Sequence, residues 1–215
     1  MLHLNSLRIW FPVSLTLLGL GLAPQSAIAQ NIYTFNSSYD TLSTSSLIVS
    51  DISEVNFSGQ STDAPYGLTK ISGRTYSQAN PTTGFFSFNA DPTTFGLQNL
   101  PFGLITLEGN DNNRLFGIDS STGTVDFETL VAKSSGTLTI TGGSGKFSGA
   151  TGTLAFSDIN VLSTDTSIPF KGQAILSGSF QVVPEPNLNM ALLLVSIGVG
   201  VRYFKTALSK SNVKK

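Results

Sequence analysis

GTLTITGGSGKFSGATGTLAFSD, residues 136–158, decides the fold. Leu138 and Ile140 alternate with Thr137, Thr139 and Thr141, and after the glycines Leu154 and Phe156 repeat the pattern. A period of two sends successive side chains to opposite faces, so each half predicts a β-strand with one buried face. Between the halves, Gly142, Gly143 and Gly145 predict a turn that needs positive φ or close backbone approach. Phe147 is expected to point inward. Gly149-Ala-Thr-Gly152 is expected to make a second turn, with the strand resuming at Thr153. The whole stretch reads as a hairpin crossing in a tightly curved sheet. It is not a phosphate loop: G-x-x-x-x-G-K-[ST] is unmatched, and no G-x-G-x-x-G opens a helix after a strand.

Outward from this stretch the same alternation recurs. ISEVNFSG, GLTKISG, GFFSFN, GLITLEG and RLFGID are short and bounded by Gly, Pro, Asn or Asp, as strands and turns are. TVDFETLV alternates Val125 and Phe127, with Leu130 out of phase. GQAILSGSFQVV, residues 172–183, predicts a longer strand with Gly178 as a candidate bulge. NSSYDTLSTSSLIVSD, residues 36–51, is rich in serine and threonine and reads as a mobile arm or weak helix. No stretch carries a convincing 3.6-residue period. The expected fold is all-β, an antiparallel barrel or sandwich of about 8–11 short strands. Fifteen phenylalanines point to a core filled with side chains.

GGSGKFSGATG resembles the glycine–phenylalanine signature of secreted eight-stranded β-barrels of the allene oxide cyclase and dirigent type. The resemblance covers residues 123 to about 170. It implies a small closed barrel in which a central cavity is an option, and it carries no activity, because those families' catalytic residues do not map onto this chain.

The ends of the 215-residue chain read differently from its middle. Arg8, an apolar run from Ile9 to Leu22 and the small residues Ala27 and Ala29 make a secretory signal peptide over residues 1–29, with cleavage by signal peptidase after Ala29. Residues 30–183 are the exported domain. Its six basic residues against twelve acidic ones give a net charge of −6, which argues against nucleic acid. The chain has no cysteine, and its one histidine, His3, lies in the leader. Ser-His-Asp and Cys-His catalysis and Cys/His zinc sites are therefore excluded from the mature domain.

Two weaker constellations involve carboxylates. Asp126 and Glu128 would share one face of a strand and could divide acid and base work, although a solvated polar face is the plainer reading. Asp111, Asn113 and Asp119 offer oxygen ligands for calcium but lack the D-x-[DN]-x-[DN]-G order, so no metal and no cofactor is expected. For sugars, the sole tryptophan, Trp10, lies in the leader, and an aromatic platform would fall to Tyr33, Tyr39, Tyr66 or Tyr76.

After the domain come Pro184, Glu185 and Pro186 in a stiff linker, residues 184–187. An apolar run over residues 188–204 follows, a transmembrane helix of about 25 Å at 1.5 Å per residue. Arg202 marks its inner end, and a basic cytoplasmic tail, residues 205–215, completes the chain, in keeping with the positive-inside rule. V-P-E-P, a short apolar helix and a basic end resemble the PEP-CTERM sorting signal of Gram-negative and cyanobacterial proteins. The resemblance implies an exosortase as processing partner, a transient inner-membrane anchor, and release to the envelope or extracellular polysaccharide. The sequence therefore predicts an exported protein with a non-enzymatic structural or interaction role. A barrel that binds or cyclises a small apolar ligand, and a glycan-binding module of the matrix, are the alternatives.

Overall fold

A computed structural model describes residues 30–165 and 168–183. Ala27, Ala29, Pro184, Glu185, Pro186, Arg202, the helix of residues 188–204 and the tail lie outside the described residues. Among the described residues no helix is long and apolar enough to cross a membrane.

Nine strands make one antiparallel sheet: β1 (Asn31–Val49), β2 (Ile52–Gln60), β3 (Lys70–Ala79), β4 (Phe85–Asn89), β5 (Leu104–Glu108), β6 (Arg114–Asp126), β7 (Val131–Ser144), β8 (Ala150–Val161) and β9 (Phe170–Val182). The pairings return on themselves. β1 pairs with both β2 and β9; β2 pairs with β3; and β6, β7, β8 and β9 follow as successive hairpin neighbours. Between β3 and β6, one place in the ring is shared by two short strands. β5 bridges Lys70–Arg74 to Arg114–Gly117, and β4 bridges Tyr76–Ala79 to Ser120–Thr124. The sheet is thus closed, every strand having a neighbour on each side, although residues 31–39 of β1 pair with β9 alone.

Several sequence expectations are corrected. The serine- and threonine-rich stretch is neither arm nor helix; it forms most of β1, the longest strand at 19 residues. Its inward positions are Phe35, Ser37, Tyr39, Thr41 and Ser43, all buried. Hydroxyls in both phases of the strand hide the alternation from hydropathy. They are tolerable inside because they find partners: Ser37 and Ser61 hydroxyls lie 3.0 Å apart, and the Tyr39 hydroxyl donates to the Leu68 carbonyl at 2.6 Å.

TVDFETLV is not one strand. It is the end of β6, a turn and the start of β7, with Leu130 at φ +53° in the turn and Phe127 exposed. Gly178 is not a bulge, since β9 stays in register with both neighbours. Register shifts lie instead at Thr141, which the β6–β7 register skips between Ile140 and Gly142, and at Ile48, skipped between Leu47 and Val49 in β1–β2.

The glycine segment also differs in detail. Gly142 and Gly143 remain inside β7, and a single connection follows: the 3₁₀ turn Gly145–Phe147, then Ser148 and Gly149. There is no second turn at residues 149–152. β8 resumes at Ala150, three residues earlier than Thr153, so Gly152 sits within the strand.

Candidate binding site

The two ends of the closed sheet differ. One holds the β2–β3, β5–β6 and β7–β8 connections and is plugged. Tyr33 stacks on Phe180 with ring centroids 5.2 Å apart and planes 7° from parallel. Phe147, fully buried, meets Phe180 edge-on at 5.5 Å. Lys146 seals the outside, its Nζ 4.9 Å from the Phe147 ring centre and donating to the Tyr66 carbonyl at 2.9 Å. The glycines serve this plug. Gly145 adopts φ +63° to turn the chain into the cap. Gly152, at φ +155°, lies so close to Phe180 that a Cβ there would stand 2.7 Å from the Phe180 Cα. Gly149 closes the connection beside Val183, and Gly143 packs beneath Phe147, whereas a Cβ at Gly142 would make only an ordinary contact with Phe116.

The other end, where β1–β2, β3–β4, β6–β7 and β8–β9 connect, is open. A cup of about 610 Å³ is lined by Val55, Phe86, Phe88, Val125 and Phe170, with Ser45 and Leu47 on the β1 side and Leu162 on the loop after β8. Beneath it lies a small chamber of about 50 Å³ that shares Val55, Phe88, Asn160 and Phe170 with the cup. The expected side-chain-filled core is therefore found toward the plugged end and the middle of the barrel, and the other end opens into the cup.

Asp119 from β6 and Asp158 from β8 both line this chamber, with Thr75 from β3. Asp158 accepts hydrogen bonds from the Ser134 hydroxyl and the Asn160 amide. Its pKa is nevertheless raised, because burial outweighs those bonds. Asp119 is 5% exposed, and burial pushes its pKa up to about 6. Thr75 opposes that rise and the charge of Asp158 adds to it. No ordinary hydrogen bond reaches Asp119 Oδ1, Thr75 Oγ1 or Ser121 Oγ, three polar atoms shielded from water.

The constellations expected from sequence are not assembled. Asp126 caps the β6–β7 turn, accepting from the Glu128 and Thr129 amides at 2.9 and 3.2 Å, so it and Glu128 share no strand face. The Thr129 hydroxyl and these amides hold its carboxyl below the usual range. Asp111 and Asn113 sit at the β5–β6 turn of the plugged end, Asn113 Oδ1 accepting from the Lys146 amide at 2.9 Å, while Asp119 faces the chamber. Among the described residues no group of three or more His, Cys, Asp or Glu could hold a metal ion. Tyr39 and Tyr76 are fully buried, their hydroxyls donating to the Leu68 and Pro101 carbonyls, and Tyr33 and Tyr66 belong to the plug. Of the four, Tyr66 alone is exposed, edge-on to half-buried Tyr33.

Sequence reading missed Asp158, Thr75 and Ser134. A signal existed for the acids. Along β8, Leu154, Phe156, Asp158 and Asn160 hold one phase while Ile159 and Val161 take the exposed one. Along β6, Asp119 continues the buried phase of Leu115 and Gly117, and Ile118 faces out. An acid that keeps the phase of buried neighbours while isoleucine turns outward marks a polar interior. No protein-family model, curated protein or solved structure matches this chain.

Proposed function

We propose that the domain is an exported small-molecule-binding barrel whose ligand has an apolar body and a polar head. One observation carries this reading: a mostly apolar cup of about 610 Å³ stands over a chamber that holds two buried polar atoms without ordinary hydrogen bonds, Asp119 Oδ1 and Thr75 Oγ1. Ligand sites are typically ~300–1,000 Å³, mostly apolar, with a few polar groups that fix orientation. A ring of about eight strand positions is the size that holds one small ligand. The cup thus favours the ligand-binding alternative over a purely structural role. The leader and the V-P-E-P end support delivery outside the cell, by signal peptidase and then an exosortase, to the envelope or its polysaccharide. The proposed role is binding, without turnover.

A neutral apolar dye, N-phenyl-1-naphthylamine, tests the reading. Its fluorescence should rise saturably at one dye per chain. Ser45→Trp, at an exposed position on the cup wall, should weaken binding by roughly tenfold or more while leaving the unfolding temperature unchanged. Absence of saturable binding by the unaltered protein would sink the proposal.

A further inference from the structure

Resting on that ligand-binding reading, we propose that the cup selects an organic cation, an amine or quaternary ammonium on an apolar body, with its charge seated at Asp119 and Asp158. The lining groups point one way in sign. The titratable side chains facing the chamber and cup are Asp119 from β6, Asp158 from β8 and Asp165 from the loop after β8. β1, β2, β3, β4, β5, β7 and β9 contribute none, and among the described residues no lysine, arginine or histidine lines either space. Arg74, next to Thr75 in sequence, turns its guanidinium to the Phe102 carbonyl at 3.3 Å.

Asp119, shielded from water, and half-buried Asp158 repel each other and lose solvation, and a cation between them relieves both effects. Asp119 Oδ1, on a residue 5% exposed, accepts no ordinary hydrogen bond, and the Thr75 hydroxyl beside the same chamber, on a residue 3% exposed, makes none either. Phe57, Phe88, Phe156 and Phe170 wall the same chamber, and ring faces attract a desolvated cation. A neutral hydroxyl would fill one acceptor and leave the charge uncompensated. An anionic head would add to the repulsion.

Calorimetric titration of the full-length protein with nonylamine, nonanol and nonanoate separates these cases, because the three share one apolar chain. At pH ~7.5 nonylamine should bind roughly tenfold tighter than nonanol, with nonanoate the weakest. At pH ~4.5, below the Asp119 pKa of about 6, the amine preference should shrink in the unaltered protein. Asp119→Asn with Asp158→Asn should remove the preference of amine over alcohol at pH ~7.5. Equal binding of amine and alcohol at both pH values would overturn the cation proposal while leaving the cup a ligand site. So would calcium alone competing with the amine. Failure of all three probes and of the neutral dye would overturn the underlying ligand-binding reading as well.

Discussion

Asp119 lies where water cannot solvate its charge, and its hydrogen-bonding shell does not make up the loss. Its folded-state pKa, about 6, stands above the ordinary 3.8, so the protonated form is the one folding favours. The stability this group contributes is therefore fully present below pH ~4 and is lost as pH rises through 6. Asp119→Asn keeps the shape and removes the charge. It should stabilise the ligand-free protein by about 1–3 kcal/mol at pH ~7.5 and change little at pH ~4. Thermal unfolding at the two pH values reads this directly. An equal effect at both would mean that the carboxyl is solvated after all. Tyr39 shows the contrasting case: burial pushes its hydroxyl up to about 12, and its proton is held on the Leu68 carbonyl. It stays neutral at any physiological pH.

The β7–β8 hairpin was the most legible element in the sequence. Threonine and aliphatic residues alternate without interruption, and glycines punctuate the crossing. What sequence misplaced was the number of turns, because Gly142, Gly143 and Gly152 lie within strands and not in the reversal. Gly152 is held by its φ of +155° and by Phe180, whereas a Cβ at Gly142 would meet only Phe116 Cδ2 at 3.8 Å. Gly152→Ala should cost about 1–3 kcal/mol in denaturant unfolding. Gly142→Ala should stay within about 0.5 kcal/mol. Equal losses would show that the plug does not depend on this close approach. β1 was illegible for the opposite reason: Ser37, Thr41 and Ser43 take core positions, and their polarity reads as surface. The buried acids were masked in the same way. Asp119 and Asp158 are visible only through the phase of Leu115 and Leu154, which hydropathy alone does not carry.

Taken as a whole, the molecule is polarised along its axis. Asn31 at the start of β1 pairs with Val182 at the end of β9, so both ends of the described domain emerge at the plug, opposite the cup. A tether attached after Val183 would leave the mouth facing away from it. Under the proposed exosortase sorting, replacing Pro184, Glu185 and Pro186 by alanine should keep the protein in the membrane fraction, and the distance of the plug from the cup should leave dye binding intact. Unchanged release of the triple variant would refute exosortase sorting. Closure of the ring was within reach of sequence reasoning, since β6 to β9 follow one another with short connections. The sharing of one ring position by β4 and β5 was not, because each is only five residues long and both pair with the same two neighbours. The most direct test of the account is a methyl chemical-shift map of the protein titrated with N-phenyl-1-naphthylamine. Saturable shifts should fall on Val55, Val125, Ala132 and Ala174, around the cup and chamber. Shifts confined to Leu115, Leu138 and Ala150 of the packed core, or to the outward-facing Ile118 and Ile159, would contradict it.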